Sequence, residues 1–309
     1  MNDMKKIAIV TCATPNWLPP AAVTLLSCAQ FGAEEFADLI LVSFDIEPSH
    51  REALQAFNKK HGINISLLNI ANEKLRGLGR GRLGVGSLLR LTLDDFLPHN
   101  LERVLYLDSD VLAEASCAAL FSMSLQDNAF AAVENIALLP WIKHDTEHHY
   151  KNIQMKLDQK YFNAGVMLFD WQKTLATQIL TRSLEALSYN PNWPFQDQDA
   201  LNSVSQGHFK LLDHKYNVTK KTSDYLSIKP VFRHFNGAAK PWNSKNRFGF
   251  SRYHKYYLEC LSGTPYQSFM DQPNNPWPIK DNWRAILRKL SFRKITKLKR
   301  HISLVVEKD

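Results

Sequence analysis

Nowhere in the 309 residues is there a run approaching the ~20 consecutive apolar side chains of a membrane-spanning helix. Any membrane contact must therefore be peripheral. Cysteine is scarce as well: Cys12, Cys28, Cys117 and Cys260 are widely spaced and form no C-x-x-C pair. That excludes a zinc ribbon or a redox couple and fits a reducing compartment. Internal repeats and low-complexity segments are also lacking. Most of the chain has no excess of either charge. Residues 1–279 carry 28 basic and 27 acidic groups, whereas nine Lys or Arg stand against the single Asp281 between Lys280 and Arg300. The net charge of +8 is thus a property of one tail. Nucleic acid is excluded as a partner because the body offers no basic face.

What is present is enough apolar material, 45% of residues, for a buried core. Lys5-Lys6 followed by Ile7–Cys12 superficially resembles a short signal peptide, but the apolar run is at the short limit and Thr11 is bulky for processing before Cys12. An opening β-strand is the better reading. Short apolar runs then alternate with helical patterns, as in parallel α/β sheets. Strands are expected at 7–11, 39–44, 65–70, 103–107, 129–134, 162–170 and 231–235. Helices are expected at 21–30, 48–61, 86–97, 171–189 and 199–205. The body should span 1–265. A linker at 266–279, rich in proline and asparagine, leads to a basic segment, 280–309, whose Trp283, Ile286, Leu287, Leu290, Ile295, Leu298 and Ile302 share roughly one helical face.

The strongest local signal is the run Arg103–Leu107 ending in Asp108-Ser109-Asp110. Open α/β sheets bind ligands beyond the carboxyl ends of their strands, and i, i+2 side chains in extended backbone point the same way. Two such carboxylates suit a hard divalent cation bridging to a diphosphate; the plainer reading is a loop with two solvated aspartates. His234-Phe-Asn-Gly237-Ala-Ala-Lys240-Pro-Trp242 follows another strand run. Its imidazole could complete a metal site, Gly237 could admit close backbone approach and Lys240 could neutralise phosphate, although a lone His after a strand is usually structural. Asp197, Gln198 and Asp199 open a helix, as N-caps or as partners for sugar hydroxyls. Asn163 and Gly165 interrupt a buried strand, which signals close approach of a ligand or another backbone. Gly79-Arg80-Gly81-Arg82-Leu-Gly84 satisfies G-x-G-x-x-G in spelling only, since it lacks the strand-turn-helix placement of a dinucleotide site. It reads as a loop that could cover a bound donor.

In this order and combination the segments resemble glycosyltransferase family 8, the retaining enzymes that include bacterial lipopolysaccharide galactosyl- and glucosyltransferases and glycogenin. The resembling stretch runs from about Ile7 to Trp242. The resemblance implies an α/β fold of the GT-A, nucleotide-diphospho-sugar transferase type: a mixed, mostly parallel sheet flanked by helices, with the basic amphipathic tail added. It implies Mn²⁺ or Mg²⁺ on Asp108, Asp110 and His234, with Ser109, Gly237 and Lys240 near the donor diphosphate. Arg90 matches the family arginine that binds the donor, and Asn163, Asp197 and Gln198 match catalytic positions around the transferred sugar. Asn16 and Trp17 match a pair near the uracil and ribose. The chain departs from the family at Thr14-Pro15, where Asp is common, and at Glu134, which stands where a shorter Asp is usual.

The implied activity is transfer of galactose or glucose from a UDP-hexose to a lipid-linked oligosaccharide, such as lipopolysaccharide or lipooligosaccharide core. The implied place is the cytoplasmic face of the cell membrane, with the tail on anionic lipid. The alternatives are a nucleotide-sugar or carbohydrate-binding protein without turnover, and a nucleotidyltransferase that would form the sugar-diphosphate bond.

Overall fold

A computed structural model describes residues 5–70, 85–136, 146–237, 240–242 and 251–270. Its first half is built from β1 (Ile7–Cys12), β2 (Asp38–Phe44), β3 (Ile65–Ile70) and β4 (Arg103–Asp108), joined by α1 (Leu18–Ala29) and α2 (Pro48–His61) among other segments. The later elements include β5 (Val111–Ala113), β6 (Phe130–Glu134), β7 (Phe162–Asp170), α3 (Trp171–Thr177), α4 (Ile179–Tyr189) and α5 (Asp197–Ser205). β8 (Lys210–Leu211), β9 (Val218–Thr219), β10 (Phe232–His234) and α6 (Ser251–Leu261) follow.

Seven strands form one sheet in the order β3-β2-β1-β4-β7-β6-β8. The β1, β2, β3 and β4 contacts are parallel, and β7 runs antiparallel to both β4 and β6. The expected mixed, mostly parallel architecture is therefore present, and the fold is of the GT-A type. Alternation sorts each strand between two apolar layers: Ala8, Val10 and Cys12 of β1 enter one, Ile9 the other, and β4 divides Val104 and Tyr106 from Leu105 and Leu107 in the same way. Each fully buried aliphatic side chain contributes about 1.5–3 kcal/mol to that assembly.

A second, three-stranded sheet, β5-β10-β9, forms beyond the end of β4. In it His234 lies opposite Val111, and Phe235 N donates to Asp110 O at 2.9 Å. Pairing of strands about 120 residues apart in sequence thus delivers the histidine to the Asp108-Ser109-Asp110 turn.

Three expected elements differ. The segment 86–97 is not one helix: it forms Val85–Leu88, a 3-10 turn Leu89–Thr92 and Leu93–Phe96. Arg90 Nε takes Ser87 O at 3.2 Å and Thr92 Oγ1 takes Leu89 O at 2.9 Å, so side chains compete for the carbonyls a regular helix would use. The segment 171–189 breaks into α3 and α4 at Gln178, which is left-handed (φ 51°). The body also continues past residue 265, as a 3-10 turn Pro265–Met270 with Tyr266 and Phe269 buried, and Tyr266 lies 5.9 Å from Phe57 of α2. Residues 271–279, the basic segment 280–309 and the loop bearing Arg80 and Arg82 lie outside the described residues.

Candidate metal centre

β4 ends at Asp108 and the chain turns through Ser109 to Asp110, so both carboxylates leave the carboxyl edge of the sheet. His234 Nε2 lies 3.2 Å from Asp110 Oδ1 and 3.6 Å from Asp108 Oδ2. One ligand atom from each of the three falls within 4.8 Å of the others. The three predicted ligands therefore converge.

The donor set fits a cation. Asp110 Oδ1 is buried with no hydrogen-bond partner among the described residues, although imidazole is its neighbour. His234 Nδ1 is directed at Asn217 Oδ1, 2.9 Å away, so it carries the ring hydrogen and Nε2 presents a lone pair. Three acceptors then face one another, an arrangement that a positive centre between them would satisfy. Gly165 lines the same space: a Cβ there would stand 2.2 Å from His234 Cε1 and 2.9 Å from Asp108 Oδ2. That is the close approach its place in a buried strand signals.

The remaining charges hold the carboxylates in place. Burial works to raise the Asp110 carboxyl, but the Lys240 ammonium, in contact with its Oδ2, holds it well below the usual carboxylate range. Lys240 also donates to Phe235 O at 2.8 Å. Arg90 is only 5% exposed, and its guanidinium meets protein groups: Asp108 Oδ1 at 2.6 Å, Asp197 Oδ2 at 2.7 Å, Ala164 O at 2.5 Å and Ser87 O. Its guanidinium stacks on Tyr106, whose hydroxyl donates to Asp108 Oδ1 at 2.9 Å. In this structure Arg90 organises carboxylates. Burial pushes the Asp197 carboxyl up to about 6 despite Arg90, with the negative charges of Asp108 and Asp199 adding to the rise.

Neither aspartate of α5 is an N-cap; Gln196 occupies that position, with φ 42° and no side-chain cap. Asp199 is fully buried, accepting from Tyr161 OH at 2.7 Å and Phe195 N at 2.8 Å. His149 Nε2 lies 3.0 Å from the same oxygen as Tyr161, without the alignment of a hydrogen bond. Gln198 Oε1 accepts from Asn163 Nδ2 and Ala164 N, each at 3.1 Å, and its Nε2 donates to Tyr161 OH at 2.9 Å. Asn163 and Gln198 are thus brought together, one bonded step from Asp199.

Trp17 packs edge-on against Trp242 at 5.5 Å and sits 6.0 Å from the Lys240 ammonium, so the Asn16-Trp17 turn adjoins the Lys240 segment. Gly237 adopts φ 86°, a left-handed turn that glycine permits without strain. Glu134 ends β6 opposite Phe162, beside Asn163 on the neighbouring strand, and burial raises its carboxyl. Sequence reasoning did not single out Asn217, Tyr106, Tyr161 or His149. Asn217, Tyr161 and His149 act through partners distant in the chain, whereas Tyr106 reaches Asp108 two residues on but from inside an apolar strand run, where a tyrosine reads as core.

The model of glycosyl transferase family 8 matches residues 8–246. The chain belongs to that family. It is a hexosyltransferase, and the family's relatives bear this out in their names. A lipopolysaccharide 1,2-glucosyltransferase of Escherichia coli is 23% identical over 90% of this chain and 84% of its own. A lipopolysaccharide 1,3-galactosyltransferase of Salmonella typhimurium is 24% identical over 86% and 80%. The crystal structure of galactosyltransferase LgtC, in complex with donor and acceptor sugar analogs, superposes with a TM-score of 0.71 at 24% identity, covering 82% of this chain and 95% of that one. That likeness carries the fold.

Proposed function

We propose that the chain transfers galactose or glucose from a UDP-hexose, with retention, to a lipopolysaccharide or lipooligosaccharide core. The observation that carries this reading is the convergence of Asp108, Asp110 and the bare Nε2 of His234 at a sheet edge in a member of this family. Those three residues would hold Mn²⁺ or Mg²⁺. Bound there, the cation would supply Lewis acidity to the departing diphosphate.

The chain's own residues supply the rest. Breaking the anomeric C–O bond leaves positive charge on the sugar and negative charge on UDP. Lys240, already at Asp110, is a cation among the described residues placed to meet that developing anion, with Gly237 and Ser109 offering backbone near it in sequence. Trp17 and Asn16 flank the same edge and suit the uracil and ribose. Glu134, Asn163 and Asp197 border the sugar. Gln198 Oε1 already accepts two N–H groups, so it has no free lone pair for a covalent intermediate. That favours same-face attack, in which the acceptor hydroxyl forms the new C–O bond and passes its proton to the leaving phosphate oxygen. On charge alone, nine basic residues against one acidic between Lys280 and Arg300, the tail would hold the enzyme at an anionic membrane. Removing it should weaken binding to anionic liposomes and spare turnover of a soluble acceptor; unchanged liposome binding would leave the tail without that role.

The reading is tested by release of UDP from a panel of UDP-sugars without acceptor, in Mn²⁺, Mg²⁺ or EDTA. Metal-dependent hydrolysis of one UDP-hexose is expected. Calorimetric binding without turnover, with or without acceptor, would support the binding-protein alternative, and pyrophosphate release would support the nucleotidyltransferase.

A further inference from the structure

We infer that Asn217 is a positioning residue that sets the tautomer of His234 and, through Asn163, ties the cation site to Gln198. The argument begins in the backbone of β7. Opposite β6 the register passes from Ala132↔Met167 to Val133↔Asn163, so one step on β6 answers four on β7. Residues Ala164, Gly165 and Val166 form a bulge there, and the N–H groups of Ala164 and Gly165 turn to side chains.

A main-chain amide nitrogen can only donate, and this gives every bond in the chain a direction. Gly165 N lies 3.0 Å from Asn163 Oδ1, so that atom is an acceptor and the other terminus of Asn163 is the NH₂. Asn163 Nδ2 then donates to Gln198 Oε1, which Ala164 N independently marks as an oxygen. Asn217 Nδ2 donates to the same Asn163 Oδ1 at 2.8 Å, which leaves Asn217 Oδ1 to accept from His234 Nδ1 at 2.9 Å. The hydrogen therefore resides on Nδ1, and the Nε2 lone pair faces Asp110 and Asp108. With the hydrogen on Nε2 instead, the ring could not ligate a cation there. Asn217 is 2% exposed and follows the 3-10 turn His214–Tyr216 directly into β9; an amide turned over there would set its oxygen against Asn163 Oδ1, with no donor between them.

The inference rests on the proposed cation site, and its test separates the two. Long-range proton–nitrogen correlation on isotopically labelled, metal-free protein at mildly alkaline pH reads the ring tautomer. His234→Gln assigns the signal by removing it. Wild type should show the Nδ1–H form. Asn217→Ala should lose that preference and weaken Mn²⁺ binding, followed by electron paramagnetic resonance, by roughly 10–100-fold. Asn217→Asp keeps an acceptor for Nδ1–H and should restore the tautomer. An Nε2–H form in wild type would overturn the inference even if no variant folded. So would a folded Asn217→Ala protein with unchanged tautomer and Mn²⁺ affinity. Failure of wild type to bind Mn²⁺, with the Nδ1–H form present, would instead remove the cation reading and leave the positioning role intact.

Discussion

The chain contains two D-x-D sequences at its site, Asp108-Ser109-Asp110 and Asp197-Gln198-Asp199, and tertiary structure gives them opposite character. The first leaves a strand end, where two oxygens remain directed at His234 and Lys240 presses on the second aspartate. The second opens α5, where Asp197 is taken by Arg90 and Asp199 by Tyr161 and a backbone amide. Only the first appears as a metal-capable group among the described residues. Arg90 joins the two, one carboxylate from each bonded to the same guanidinium. The lesson is that paired carboxylates become a ligand set where the local backbone leaves lone pairs free, and become structural where donors consume them.

The contrast can be broken by matched substitutions. Asp110→Asn should lower turnover on the order of 10²–10³-fold, the usual cost of removing one electrostatic stabiliser of the leaving group. Some stability should be lost as well, because Lys240 loses its carboxylate partner. Asp199→Asn should leave turnover closer to wild type and cost about 1–3 kcal/mol in urea denaturation because Tyr161 OH and Phe195 N lose a charged acceptor. If both variants lost turnover equally and melted alike, the two pairs would not differ in kind.

A smaller effect sharpens the comparison through pH. The Asp197 carboxyl is raised from 3.8 to about 6 in the fold, so its contribution to stability is fully present below 3.8 and lost as pH rises through about 6. Asp110, held low, has the opposite sign: its contribution is present above 3.8 and lost as pH falls below it. Between pH 3.8 and about 6 wild type should lose stability relative to Asp197→Asn by about 1.4 kcal/mol per pH unit. Parallel stability curves for the two proteins in that window would remove the electrostatic distinction.

Much of the site was legible because its chemistry is local. An apolar run closed by two aspartates, and a histidine ending another, needed only strand geometry to be placed at a sheet edge. The helical expectation at 86–97 failed where a buried arginine draws on its own backbone carbonyls, a competition invisible to periodicity. The division of 171–189 at Gln178 likewise has no glycine or proline to announce it. Asn217 was missed because its two partners, Asn163 and His234, are 54 and 17 residues away and meet only when the second sheet forms.

By itself, then, the sequence determined the β-α alternation and the strand-end carboxylates, because these depend on the order of apolar and polar residues along a few turns of chain; the family was legible only through the resemblance of its motifs to known ones. Which oxygens stay free, which way each amide faces and which nitrogen of His234 carries its hydrogen were decided only by the tertiary structure. Those choices follow from donors that a bulge in β7 exposes, and a donor has direction only once its partner has been folded against it.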